Sequence, residues 1–167
     1  MTPESWKTRI FRYGINFYPM FFGTGGKVMF IAGDWKKVVV RLSLNMWTRN
    51  YVGTIFGGSQ FSATDPMYMV MLINILGGEY VVWDKSASIQ FKKPGKGKLT
   101  ADFIYTEDEI EHIKRVTASE GKYEFIKTTS WIDQNGDLIS TIDKSIYVAT
   151  KEFYKSRRDR RQKSENN

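Results

Sequence analysis

The sequence predicts an α+β domain in which a single buried helix sits within a mostly antiparallel sheet. Three observations predict it. Between Asn50 and Gly78 the only charged residue is Asp65, and Met67, Met69, Val70, Met71, Leu72, Ile73, Ile75 and Leu76 follow it. A stretch that is apolar all round reads as a helix sealed from water. Short segments on both sides alternate apolar and polar residues with period two, the mark of half-buried strands. Two of the later segments flank Asn135-Gly136, a dipeptide suited to a tight hairpin.

Residues Met1 to Phe22 mix aromatic residues with Lys7, Arg9 and Arg12, and fit a short amphipathic helix only loosely. They are expected to lie over the edge of the domain as an extension covering residues 1–25. Lys27 to Ala32 and Lys36 to Leu44 read as strands joined by a Gly33-Asp34 turn, with Val38, Val40, Leu42 and Leu44 on one face of the second. Gly57-Gly58 opens the apolar helix, Gly77-Gly78 stops it, and Pro66 removes a backbone donor and kinks it. A second reading starts the helix at Pro66 with Asp65 as its N-cap and leaves 57–64 as a loop.

Further strands are expected over Tyr80 to Lys93, Lys98 to Tyr105, Lys122 to Asp133 and Asp137 to Ala149. Thr106 to Glu109 has capping-box spacing and starts a short helix running to about Ser119. The expected domain covers residues 26–150, and 151–167 form a basic, partly flexible tail.

Composition limits the chemistry. With 167 residues, 41% of them hydrophobic and 15% aromatic, one core is expected. There is no cysteine and His112 is the only histidine, so thiolate chemistry, a His-rich metal site and a Ser-His-Asp triad drop out. His112 itself reads as a surface residue of the acidic helix. Met67, Met69 and Met71 read as helix core or as the lining of a channel, and Trp47, Trp83 and Trp131 as packing residues. The formal charge of +7 is concentrated at the ends: Lys151 to Asn167 holds seven Lys+Arg against three Asp+Glu, and Met1 to Arg12 holds three against one. With no recognition motif beside it, this pattern predicts no nucleic-acid partner. The longest apolar run falls short of the ~20 residues that span a bilayer, so no stable membrane insertion and a cytoplasmic protein are expected.

Asp65 stands out as the one charge expected to be buried. An ionised carboxylate away from water costs several kcal/mol unless paired. Helix capping explains it, and so does a functional acid set in a cleft. Just upstream, Asn50, Gly53, Thr54, Phe56, Gly57 and Gly58 supply compact polar groups and backbone N–H donors at a helix entry, where an oxyanion can approach closely.

The run Asn50 to Gly58 followed by Asp65 resembles the hotdog-fold acyl-CoA thioesterase superfamily, especially its phenylacetyl-CoA thioesterase-like branch, in which a His-Gly-Gly motif precedes a helical Asp by this spacing. Ser88 to Pro94 looks like the strand and Pro turn after that superfamily's helix. The nearest match is an uncharacterised branch with Arg-Asn, Gly-Thr-x-Phe-Gly-Gly and Asp-Pro signatures, here Arg49-Asn50, Gly53 to Gly58 and Asp65-Pro66. The resemblance implies a hotdog fold: a long helix wrapped by a curved antiparallel sheet and paired with a second copy as a homodimer, or a dimer of dimers. It also implies hydrolysis of an acyl thioester with no cofactor beyond the coenzyme A of the substrate. Asp65 would be general base or nucleophile, the Gly57 N–H would polarise the carbonyl, and Asn50 would position water or the acyl group. Phe56, Gly58 and Thr54 would border the substrate, with Phe56 replacing the usual His. Asp84 aligns with a Ser or Thr of the related enzymes and is read either as a second acid or as an ion pair with Lys85, the latter favoured. Lys92 and Lys93 read as contacts to coenzyme A phosphates or as a solvated turn. A non-catalytic acyl or coenzyme A binder is the alternative function.

Overall fold

The computed structural model describes residues 2–165, with side chains through 157 and at 159. Six strands form one antiparallel sheet: β1 (Gly26–Ile31), β2 (Lys37–Ser43), β3 (Tyr80–Phe91), β4 (Lys98–Ile104), β5 (Lys122–Asp133) and β6 (Leu138–Thr150), in the order β1-β2-β4-β5-β6-β3. The strict alternation predicted for β2 and β4 is realised in burial: Val38, Val40 and Leu42 face Phe103, Ala101 and Leu99 on the core side. The β5–β6 hairpin turns at Asn135-Gly136, where Gly136 takes the left-handed backbone that this turn needs.

The apolar stretch forms two helices, α3 (Gly57–Ser62) and α4 (Met67–Leu76), rather than one. Pro66 has no N–H to give the Ser62 carbonyl, and its ring would crowd that oxygen. The chain tightens instead: the N–H of Thr64, Asp65 and Met67 donate to Phe61, Ser62 and Thr64, three residues back. Met67, Tyr68, Met71 and Leu72 of α4 enter the core, where Tyr68 packs edge-on against Phe103 and Tyr105. Gly77 ends α4 at positive φ, as expected. Gln60 locks α3 to the sheet. Its side-chain oxygen accepts from Ser140 at 2.7 Å, and its backbone carbonyl accepts from the buried Trp131 indole at 2.9 Å.

The N-terminal residues form α1 (Trp6–Phe17) and α2 (Pro19–Phe22), and α1 packs on the edge strand β1. Asn16 completes that edge, donating to the Val28 carbonyl and accepting from its N–H, so polar groups that would otherwise face water are paired. The capping box at Thr106 starts α5 (Glu107–Glu120) as predicted, and His112 lies exposed on it.

The basic C-terminal segment forms a helix, α6 (Lys151–Glu165), whose first turn is docked by Phe153 over Gly121 and Tyr154 edge-on to Trp83; Asn166 and Asn167 lie outside the described residues. One expectation is corrected here. Trp47 is not a packing residue in the single chain but stands 88% exposed, whereas Trp131 is fully buried.

Glu4 anchors the start of α1 by a two-point ion pair with Arg12, at 2.8 and 3.1 Å. The Arg12 hydrogen bonds hold the Glu4 carboxyl below its usual 4.5, so the stability it contributes is present above that value and is lost as pH falls through the lowered one. Glu4→Gln should therefore lower stability by about 1–3 kcal/mol at pH 7. Its melting curve should converge on that of the wild type as the pH is taken below the depressed pKa, which thermal unfolding across a pH series measures.

Candidate functional site

The break between α3 and α4 positions the candidate acid. It turns the Asp65 side chain outward, 63% exposed, so the expectation of a buried Asp65 is corrected. The charge that is buried belongs to Lys144, 1% exposed, on the inward face of β6 between Ile142 and Ile146. Its ammonium group rises beneath the break and donates to the backbone carbonyl of Asp65, to Asp65 Oδ1 at 2.9 Å, and to Asp84 Oδ2. Three N–H donors thus meet three acceptors, the condition for keeping an ammonium group out of water. With its carboxylate held by Lys144, Asp65 does not cap α4, whose N-cap is Pro66 with no side-chain hydrogen bond.

The preferred Asp84–Lys85 ion pair is also corrected. Adjacent strand residues point to opposite faces; Asp84 turns inward to Lys144, and Lys85 turns outward to Glu124 at 2.9 Å. The strand register shifts between Asp84 and Ser86, leaving Lys85 as the extra residue of a bulge. Burial pushes the Asp84 carboxyl above its usual value, against the pull of Lys144. Its Oδ1 is buried with no hydrogen-bond partner.

Asp65 also forms part of the wall of an open groove of about 850 Å³. One side of the groove is α1 and α2, through Ile10, Phe11, Ile15, Met20 and Phe21; the other is the central helices, through Phe61, Pro66 and Val70. The apolar side chains of the N-terminal helices therefore share a groove with a fixed, accessible carboxylate.

The remaining expected site residues gather at the other end of α3. Asn50 and Thr54 close a small loop on each other: the Asn50 side chain donates to Thr54 Oγ1 and accepts from the Thr54 N–H, both at 2.9 Å, with Gly53 at positive φ at its tip. Gly57 and Gly58 begin α3 under two aromatic rings. A Cβ on Gly57 would stand 2.6 Å from Phe91, and one on Gly58 2.2 Å from Phe56, so a larger residue at either position would have to push an exposed ring aside. The Ile55 N–H donates to Gly95, which brings the turn carrying Lys92 and Lys93 to this end. Lys92 bonds Gln90 and Lys93 pairs with Asp137, both at the surface.

The chain thus divides the expected site in two. Asp65 and Asp84 lie at one end of α3, and Asn50, Thr54, Phe56, Gly57, Gly58, Lys92 and Lys93 at the other. Asp65 and Gly57 are eight residues apart, about 12 Å along a helix axis. Sequence reasoning missed Lys144, Phe91 and the groove. Lys144 had a visible signal, since it falls in phase with Ile142, Ile146 and Val148 on the core face of a strand.

Residues 7–148 match the model of a family described as a domain of unknown function, DUF4442. No curated protein matches the sequence. Among solved structures, the chain is similar to a protein of unknown function from Pseudomonas aeruginosa, described as a probable thioesterase, with TM-score 0.76 and 14% identity over 89% of this chain and 98% of that one. It is also similar to a thioesterase from Haemophilus influenzae (TM-score 0.63, 9% identity, 89% and 94% covered) and to thioesterase superfamily member 2 from Mus musculus (0.62, 15%, 86% and 98%). At these identities the likeness is one of fold.

Removing Lys144 leaves Asp84 buried without its cation. Lys144→Met should cost about 3–5 kcal/mol, and the double variant Lys144→Met/Asp84→Leu should recover most of that loss, as read from urea unfolding of the two variants and the wild type.

Proposed function

The chain belongs to the DUF4442 family, and on that premise we propose that it hydrolyses an acyl-CoA or related thioester, with Asp65 as general base or nucleophile. One observation carries the reading. An accessible carboxylate is fixed at a break in the central helix, beside an apolar groove, in a fold shared with thioesterases. Lys144 limits the motion of the Asp65 carboxylate, and a positioned base accelerates proton transfer from water. The α4 helix, packed against β2, β3 and β4 of one antiparallel sheet, would make this a hotdog fold.

In this reading the Gly57 N–H polarises the thioester carbonyl and Asn50 orients water or the acyl group. A reacting carbonyl must lie within about 3 Å of both donor and base, and the two ends of α3 are too far apart for that within one chain. The proposal therefore includes a homodimer in which the Gly57 end of one copy faces Asp65 of the other. Two surfaces support it. The twelve-residue β3 is a free edge of the sheet, an available template for pairing, and Met46, Trp47 and Tyr51 beside Asn50 are almost fully exposed in the single chain. Lys92 and Lys93, on the turn beside Gly57, would then meet the phosphates of coenzyme A.

A second reading, binding of an acyl thioester without turnover, is favoured by Phe56. It sets an apolar ring at the helix entry, where the related enzymes carry a polar side chain.

A panel of acyl-CoA substrates should show hydrolysis by the wild type, and Asp65→Asn should reduce it at least about a hundredfold with the melting temperature preserved. No turnover on any substrate, or an Asn variant as active as the wild type, overturns the catalytic reading; tight acyl-CoA binding without hydrolysis establishes the second. In sedimentation the protein should run at twice the mass of one chain. Ser88→Pro, which places a ring in the free edge strand, should shift it to a monomer and remove activity together.

A further inference from the structure

We propose that the groove between the N-terminal helices and the central-helix break holds the hydrocarbon tail of the substrate, so that the protein selects medium and long acyl chains over acetyl-sized ones. The inference rests on Asp65 being the reacting group. Asp65 and Pro66 border the groove, so a chain lying along Phe11, Ile15 and Phe61 would bring its carbonyl end to the carboxylate. The volume, about 850 Å³, falls within the ~300–1,000 Å³ of pockets that hold small-molecule ligands and far exceeds what an acetyl group fills.

Gly14 is the independent observation. A glycine inside a helix weakens it relative to alanine, and one is usually retained where a side chain would collide. Here a Cβ would meet nothing within 4 Å. Gly14 is exposed and borders the groove, so a larger side chain here would project into open space at the groove wall. The charges at the carboxylate end fit a thioester better than a free acid: Asp65 and Asp84 supply two carboxylates against the single ammonium of Lys144. An uncharged acyl thioester is accepted there, and the carboxylate released by hydrolysis is repelled.

The test uses S-alkyl thioethers of coenzyme A, which bind but cannot be hydrolysed, titrated calorimetrically into the full-length protein. The wild type should bind the dodecyl thioether about a hundredfold or more tightly than the ethyl one. Gly14→Phe, which fills the groove, should cut that preference to about tenfold or less and leave ethyl binding within about threefold. Met20→Asp changes a groove residue that is already 76% exposed, so it leaves the fold intact and should weaken dodecyl binding in the same way. Equal affinity for both thioethers in the wild type overturns the proposal, as it would if a second copy of the chain occupied the groove. So does a preference that survives both substitutions. Acyl-CoA hydrolysis is measured separately: chain-length-dependent binding without any hydrolysis removes the hydrolase reading and leaves the groove, whereas hydrolysis with no chain-length-dependent binding does the reverse.

Discussion

A buried ammonium group ties the two layers of this protein together at the point where its chemistry is expected. Lys144 rises from β6 into the break of the central helix and holds Asp65 through both its side chain and its backbone carbonyl, with Asp84 of β3 as the third partner. Removing a lysine from water costs several kcal/mol, and such pairs are often no more stabilising than a hydrophobic replacement. The structure keeps it nonetheless, and the gain is positional. One cation fixes the helix break, the direction of an exposed carboxylate and the inward face of the strand that forms the sheet edge.

The break and the N-terminal helices are linked through the same place. Pro66 forces tighter turns between α3 and α4, which carries Asp65 out of the apolar interior into which a continuous helix could have turned it. α1 and α2 then cover the edge strand β1 through Asn16 and lay an apolar wall opposite Phe61 and Val70. Asp65 thus borders an apolar groove, the feature on which the proposed binding of an acyl tail rests. The candidate oxyanion donor at Gly57 sits at the far end of α3, beneath the Phe91 ring. On the proposed reading that separation calls for a second copy of the chain, for which the exposed aromatic loop and the free β3 edge are the available surfaces.

Much of this was legible along the chain. The period-two pattern of β2 and β4, the Asn135-Gly136 hairpin, the capping box at Thr106 and the glycine stop at Gly77 are local features, each set by a backbone requirement or by the burial of one face. Asp65 was identifiable as a candidate because no other charge lies near it in the sequence. Its environment was not. Apolar neighbours in sequence implied burial, yet the Pro66 turn exposes it. Asp84 beside Lys85 suggested an ion pair, yet the alternation of a strand sends neighbours to opposite faces. The charged C-terminal residues looked like a tail, and two aromatic side chains dock them as a helix.

What the sequence determined by itself was the inventory: an α+β chain with one apolar helical stretch, no thiol, one surface histidine, and a lone acid seven residues after a diglycine. Only the tertiary structure decided which groups act together. Lys144 lies 79 residues from Asp65 and 60 from Asp84, and α1 is about fifty residues from the helix break it faces across the groove. Contacts at such separations depend on strand register and helix placement. Those are set by packing of the whole core rather than by any local run of residues, which is why the acid was visible in the sequence and its cation and groove were not.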